Sequence, residues 1–245
     1  GLVGSEMCIR DSYITVYADL DRDGEFGDEV PMRPGSFEVL PDNRLAVGTR
    51  RGDVYFVSGA FDTPPNPSYH LFASGQDEIF GMSWRNDALT ITQFGEVTKL
   101  IDSNRDGTAD RFETLTNDWG YAEGHEFAFG SKHDPEGNIW VALGLIGSYH
   151  SRNIFRGWAV KVTPTGKMIP ICSGLRSPGG VAANKEGAMF CIESQGPWNG
   201  SCSLKHLKEG AFLGHPASYN WYQYVKEMDT PKIEPNTNSR IAIEK

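Results

Sequence analysis

Short runs of alternating hydrophobic and polar residues recur along most of the chain, and turn residues separate them. Residues 43–49 form the first run after a Pro-Asp-Asn turn, and residues 53–57 follow as its partner. The same pair of runs returns three times, at 87–92 with 96–101, at 137–143 with 158–163, and at 187–192 with 202–207. Alternation with a period of two predicts β-strands, and the intervening turn residues predict hairpins.

The paired runs repeat at a nearly constant spacing. The equivalent positions Leu45, Leu89, Ile139 and Met189 are 44, 50 and 50 residues apart. A repeat of this length, built from short strands, is typical of a β-propeller. We therefore predict an all-β propeller with about four blades of four strands each. A two-sheet sandwich is the alternative, and it would not explain the period. Glycine-rich segments at 81–84, 127–130 and 179–182 are expected to lead into the inner strands.

The two ends of the chain do not follow the pattern. Residues 1–12 resemble translated adapter sequence, so we expect them to be non-native and the chain to be a fragment. The blades are predicted over residues 13–222. Residues 223–245 are polar, contain two prolines, and are predicted to be a linker or a truncated edge.

Composition narrows the possible functions. The chain has 245 residues, of which 39% are hydrophobic, and a formal net charge of −9. These values fit a folded globular protein. There is no basic stripe of the kind that binds nucleic acid, and no apolar run long enough to span a membrane.

The four cysteines leave the redox compartment open. Cys8 falls in the excluded tail, and Cys191 lies inside a predicted strand as a core thiol. Cys172 and Cys202 flank that strand and could form a disulfide, which would indicate an oxidising compartment. Four free thiols in a cytoplasmic protein are the equally open alternative. No pair has the CxxC spacing of a metal site.

An acidic segment at 102–113 matches the spacing of a calcium-binding loop. Gly107 permits its sharp turn. A weaker copy of the pattern contains Asp19, Asp21 and Asp23. The alternative is that both segments are ordinary Asp-Gly hairpin turns with solvated carboxylates. The predicted ligands of the first loop are Asp102, Asn104, Asp106, Thr108, Asp110 and Glu113.

Two turns flank the strand at 188–192 and suggest a ligand site. The glycine-rich turn at 174–180 and the turn at 193–197 expose carbonyl groups, Arg176 and Gln195 at a strand end. His125 stands at the start of the third repeat. A histidine there can act as a general base near neutral pH, although a structural role is the alternative.

Three landmarks in order resemble the quinoprotein glucose/sorbosone dehydrogenase family. They are His125 with the segment 134–141 after it, the Gly-Leu-Arg-Ser-Pro turn at 174–178, and Glu-Ser-Gln-Gly-Pro at 193–197. The stretch from about 34 to 222 looks most similar to a membrane-bound-dehydrogenase-like propeller of large bacterial secreted proteins. The resemblance implies a six-bladed ring, a pyrroloquinoline quinone (PQQ) cofactor on its axis, and oxidation of a sugar or alcohol.

The resemblance also implies roles for single residues. His125 would take a proton as hydride passes to the quinone, and Arg176 would pair with a cofactor carboxylate. The carbonyl groups of Gly196 and Pro197 would hold calcium, with Gln195 nearby. A periplasmic or secreted location and a cytochrome-c-type electron acceptor are implied as well.

Departures from the family pattern support a second hypothesis. Gly124 stands where the family often has an acidic residue or asparagine, and Ser177 stands where it has asparagine. Residues 198–202 replace acidic residues that the family pattern would place there. The alternative function is a non-catalytic propeller that binds a carbohydrate or a protein partner. Cleavage of a glycan or lactone is a third possibility, because propellers host several chemistries, but no converging acid pair supports it.

Overall fold

The computed structural model describes residues 32–121, 126–145, 151–196 and 198–231. Within these ranges the chain forms four antiparallel sheets and one 3-10 helix, Pro216–Tyr224. The first two sheets contain β1 (Pro34–Val39), β2 (Leu45–Thr49), β3 (Val54–Ser58), β4 (Ser68–Ala73), β5 (Gly81–Arg85), β6 (Ala88–Thr92), β7 (Val97–Ile101) and β8 (Arg111–Thr116). The last two contain β9 (Ala128–His133), β10 (Ile139–Leu143), β11 (Trp158–Val162), β12 (Met168–Ser173), β13 (Pro178–Ala183), β14 (Met189–Glu193) and β15 (Ser203–His206).

The four sheets are blades of a β-propeller. Each sheet is a meander in which consecutive strands pair, and the first strands of neighbouring sheets contact one another. The predicted all-β propeller with four blades is therefore confirmed. Three blades have the predicted four strands, whereas the last one has three among the described residues. We call the blades 1 to 4 in chain order.

The predicted position of the glycine-rich segments was wrong. They were expected to lead into the inner strands, but they form the inner strands β5, β9 and β13 themselves. The reason is the close approach of neighbouring blades. A Cβ atom added to Gly81 would collide with the carbonyl group of Gly130 on the next blade.

The interfaces between blades differ in chemistry. Blades 1 and 2 enclose an apolar cluster that includes Phe56 and Phe72 from one side and Leu89 and Ile91 from the other. Blades 2 and 3 also share an apolar cluster, which includes Val97 and Val141, and polar contacts between side chains are added to it. Thr92 and Ser131 share a short hydrogen bond between their hydroxyl groups, and Nδ1 of His133 lies 2.8 Å from Oγ of Ser83.

The 3-10 helix closes the core of blade 3. The indole N–H of Trp158 donates to the Ser218 carbonyl at 2.9 Å, and the ring of Trp158 lies 4.8 Å from that of Tyr222. Val225 and Met228 also pack against this core. Packing thus continues beyond residue 222, where the blades were predicted to end. The predicted tail at 1–12 and residues 232–245 lie outside the described residues.

The predicted bridge between Cys172 and Cys202 is not formed in the structure, where both are free thiols. The sequence predicts Cys172 in a segment that flanks a strand. In the structure it lies in β12 and is fully buried in the core between blades 3 and 4. Cys202 is exposed just before β15. Cys191 is a buried core thiol, as predicted. Among the described residues, no helix has the length and hydrophobicity that crossing a membrane requires.

The meander topology assigns each connection to one of two faces. Connections that follow even-numbered strands lie on one face, which we call the upper face, and those that follow odd-numbered strands lie on the lower face. The turns at 174–177 and 194–202 therefore share the upper face with residues 117–121. The acidic loop after β7 lies on the lower face.

Candidate functional site

The turn between β12 and β13 is fixed by backbone bonds to its neighbours. The N–H of Leu145 donates to the Arg176 carbonyl at 2.7 Å, and the N–H of Leu175 donates to the Gly157 carbonyl at 2.9 Å. Gly174 adopts a φ of +87°, a conformation that favours glycine. The backbone that carries Arg176 is thus held from blade 3.

Glu193 joins this turn to the next strand end. Its side chain is 4% exposed, and it accepts hydrogen bonds from the backbone N–H groups of Arg176 at 3.0 Å and Ser177 at 2.6 Å. Burial raises the pKa of the Glu193 carboxyl group, although both hydrogen bonds oppose that shift. The sequence pattern contained Glu193 but did not predict this role.

The predicted ligand-binding residues of blade 4 come together. Nη1 of Arg176 donates to the Gln195 carbonyl at 3.2 Å. A Cβ atom at Gly196 would lie 2.6 Å from Cζ of Arg176, so only glycine leaves room for the guanidinium group. Gln195 is exposed and Gly196 is buried. Pro197, the fourth predicted residue, lies outside the described residues.

The carbonyl group of Gly196 already has a hydrogen-bond partner. Gly196 and Asn199 exchange backbone bonds of 2.8 and 3.1 Å, and Nδ2 of Asn199 donates to the Ser194 carbonyl at 2.9 Å. A carbonyl oxygen has two lone pairs. The turn is therefore ordered by its own bonds, and the Gly196 oxygen uses one of its two lone pairs in them.

His125 lies outside the described residues, but the residue after it is firmly anchored. Glu126 and Arg156 are 2% and 0% exposed. Arg156 donates to the Glu126 carbonyl through Nη1 and to the Phe94 carbonyl through Nη2 at 3.2 Å. Its Nε is 4.0 Å from Oε2 of Glu126. Burial lowers the pKa of Arg156 to about 10, against the opposite effect of Glu126.

This buried pair was not predicted from the sequence. The available signal was an acidic residue placed two positions before β9. Its partner is 30 residues away, so no local pattern identifies it.

An aromatic cluster occupies the upper ends of the inner strands. The ring of Phe80 lies 4.6 Å from that of Phe127 and 5.1 Å from that of Phe129. The Arg50 guanidinium lies 5.5 and 5.4 Å from the rings of Phe80 and Phe127, and it pairs with Glu78 at 2.9 Å. All three phenylalanines are partly exposed. They provide a surface against which a planar ligand can pack.

The first half of the acidic loop folds as a tight turn. Asp102 accepts from the N–H groups of Asp106 at 3.2 Å and Gly107 at 2.8 Å. Asn104 and Asp106 accept from backbone N–H groups two residues ahead, at 3.0 and 2.9 Å. Their oxygens are thus satisfied largely by the loop's own backbone.

The second half departs from the calcium-loop pattern. Asp110 accepts two bonds from Ser103, which lower the pKa of its carboxyl group. Glu113, the predicted last ligand, forms an ion pair with Arg111 on the same strand. Among the described residues, no three His, Cys, Asp or Glu side chains are grouped so that they could hold a metal ion. Calcium binding by this loop stays a prediction, and Asp19, Asp21 and Asp23 lie outside the described residues.

No protein-family model and no curated protein sequence matches this chain. Solved structures do. The PQQ domain of pyranose dehydrogenase from Coprinopsis cinerea matches with a TM-score of 0.59 at 13% identity, over 73% of this chain and 51% of that one. The PQQ-bound aldose sugar dehydrogenase from Streptomyces coelicolor matches with a TM-score of 0.56 at 15% identity, over 75% and 62%. The chain has the propeller fold of PQQ-dependent sugar dehydrogenases.

A third solved structure extends this fold comparison. The calcium structure of a Trichoderma reesei protein of Carbohydrate-Active Enzymes family AA12 matches with a TM-score of 0.59 at 14% identity, over 78% of this chain and 56% of that one. The chain thus spans between about half and two thirds of the length of these three solved structures. The resemblance stated from three sequence landmarks is confirmed at the level of the fold.

Proposed function

We propose that this propeller oxidises a sugar or an alcohol by passing a hydride to PQQ bound on the upper face. The observation that carries the proposal is the Arg176 guanidinium held over Gly196, where two strand-end turns meet. The fold supports it, because solved structures with this fold include a PQQ-bound sugar dehydrogenase.

The residues present suit a planar, acidic cofactor. The planar fork of Arg176 can pair with a carboxylate of the quinone through two parallel N–H bonds. The aromatic cluster of Phe80, Phe127 and Phe129 offers apolar contact to a flat ring system. The bound quinone supplies the hydride-accepting group, which no side chain can provide.

Other residues would handle protons and cations. His125 would take the substrate hydroxyl proton, since an imidazole titrates near neutral pH. Calcium would use carbonyl oxygens at Gly196 and Pro197, beside Gln195. A cytochrome-c-type acceptor and a periplasmic or secreted location belong to the same proposal.

The test combines cofactor binding with turnover. The chain is incubated with PQQ and calcium, and dye-linked oxidation of glucose and of simple alcohols is measured. We expect His125→Ala to lower kcat about 100-fold or more while PQQ still binds. Full turnover by His125→Ala, or no turnover by wild type with the quinone demonstrably bound, would overturn the proposal.

A further inference from the structure

A cleft lined by both polar and apolar side chains separates blades 2 and 3 on the lower face, opposite the proposed cofactor site. Its volume is about 200 Å³. It opens between the β5–β6 turn and the β9–β10 turn. The lining residues that matter here are Arg85, Thr90, Lys99, His133, Glu136 and Gly137.

Three nitrogen-bearing side chains reach this cleft from three strands, β5, β7 and β9. Two of them, Arg85 and Lys99, are cations. Neither forms an ion pair with any residue that the structure describes. Two such cations in one cleft are notable in a chain whose net charge is −9.

The guanidinium group of Arg85 is held at the rim of the cleft. It donates to the carbonyl groups of Asp134 at 3.4 Å and Pro135 at 3.5 Å. Gly137 adopts a φ of +88°, and a Cβ atom there would lie 3.4 Å from Cζ of Arg85. Because a guanidinium has five N–H donors, these two long bonds leave donors available to a ligand.

His133 adds a neutral donor. Its Nδ1 lies 2.8 Å from Oγ of Ser83. Burial, together with the positive charge of Arg85, lowers the pKa of His133 to about 4. The ring is therefore uncharged at neutral pH. When the Ser83 hydroxyl donates to Nδ1, the proton resides on Nε2 and can be donated to a ligand.

A row of polar side chains crosses the blade 2 wall of the cleft, and Leu115 lies beside it. Ser83 pairs with Thr90, and Thr90 pairs with Lys99, in the antiparallel register. Cross-strand partners lie on the same face of a sheet, so these three side chains form one row that faces blade 3. The polar side chains on this wall can bind water or a polar ligand.

We propose that this cleft is a binding site for a small oxyanion, namely a phosphate or a carboxylate group. Arg85 and Lys99 supply the positive charge, and His133 supplies an additional N–H donor. Because one water occupies about 30 Å³ in the liquid, the cleft holds a small ion with some of its hydration water. The site is independent of quinone chemistry, since it lies on the opposite face.

Glu136 gives the proposal a distinguishing feature. Its exposed carboxylate lines the same cleft and opposes an anion by like-charge repulsion. Replacing it with glutamine removes that repulsion, so Glu136→Gln is expected to tighten anion binding. A purely structural cluster of polar residues would not show this gain.

The experiment follows the ring resonances of His133 by NMR at pH 7.5, assigned with His133→Asn. Inorganic phosphate and acetate are titrated separately, and potassium chloride keeps the ionic strength constant. We expect saturable shifts with one or both anions, an affinity at least tenfold lower in Lys99→Met, and no change in the exposed control Lys208→Met. Comparing the phosphate arm with the acetate arm identifies the preferred group.

Two results would overturn the proposal. One is the absence of saturable shifts with either anion in a protein whose circular dichroism shows the β fold. The other is an unchanged affinity in both Lys99→Met and Arg85→Gln. Two variants are used because Lys99 is half-buried in a strand, and Arg85, being exposed, can be replaced without disturbing the core.

Discussion

The blade 4 turns and the acidic loop were both predicted as ligand sites, but they are built in different ways. The turn at Arg176 is fixed by Glu193, which is 17 residues away, and by the backbone of blade 3. The acidic loop is held mainly by bonds within residues 102–110. Two residues of β4 also reach the loop: Nε2 of His70 lies 3.0 Å from the Gly107 carbonyl, and the Phe72 carbonyl accepts from the N–H of Ala109 at 2.8 Å.

The difference shows what a matching motif can and cannot establish. A loop whose carboxylates bond to its own backbone satisfies the spacing of a calcium site without any ion. A turn held by a buried carboxylate from another strand is positioned by the fold as a whole. The second arrangement is the stronger indication of a preorganised site.

The largest effect is expected from Glu193→Ala. It removes the buried acceptor of the Arg176 and Ser177 N–H groups, whose hydrogen bonds are partly buried, and this should lower the free energy of unfolding by about 1–3 kcal/mol. Urea unfolding followed by circular dichroism measures this. Asp110→Ala, at an exposed position of the acidic loop, is the matched control and should lower the unfolding midpoint much less, since water can replace Asp110 as the acceptor for Ser103. Equal losses in the two variants would contradict the contrast between the regions.

Calcium binding tests the acidic loop directly. Asp106→Asn removes a carboxylate from the turn and should lower calcium affinity about tenfold. Glu113→Gln should leave the affinity unchanged, since Glu113 is engaged by Arg111. Calorimetric titration of the two variants with calcium measures both affinities. A loss in Glu113→Gln as large as that in Asp106→Asn would restore the full twelve-residue calcium motif.

The carboxyl groups of the two regions should titrate in opposite directions. Burial raises the pKa of Glu193 above its ordinary value of 4.5, whereas bonds from Ser103 lower that of Asp110 below 3.8. The pH-dependent part of the stability that Glu193 contributes is therefore present at low pH and is lost as pH rises through its raised pKa. The pH-dependent part that Asp110 contributes is present at higher pH and is lost as pH falls through its lowered pKa. Carboxyl carbon NMR of the folded chain, which should show Glu193 titrating at the higher pH, checks this order.

The smallest effect concerns the thiols. Burial raises the pKa of Cys172 to about 12 and that of Cys191 still further. Among these two and Cys202, only Cys202 should react with a thiol reagent at pH 8 in the folded protein, as read by peptide mapping. Cys202→Ser should leave stability within about 0.5 kcal/mol of wild type. An unreactive Cys202, linked to Cys172 in the peptide map, would instead support a disulfide.

Most of the strands were predictable because alternation is local and each blade repeats it. The proximity of Arg176, Gln195 and Gly196 was predictable for a related reason, since the ends of adjacent strands in a meander lie side by side. The contacts between Arg156 and Glu126 could not be predicted, because the two residues lie in different loops that are distant in the sequence. The glycine-rich segments were misjudged because their role depends on the neighbouring blade.

Binding of the quinone is the most direct test of the proposed site. PQQ is titrated into the chain in the presence of calcium, and quenching of tryptophan fluorescence is recorded for wild type, Arg176→Met and the surface control Lys208→Met. We expect saturable binding, an affinity at least tenfold lower in Arg176→Met, and no change in the control. Saturable binding with equal affinity in all three proteins, or no binding by the folded wild type, would contradict the proposed cofactor site.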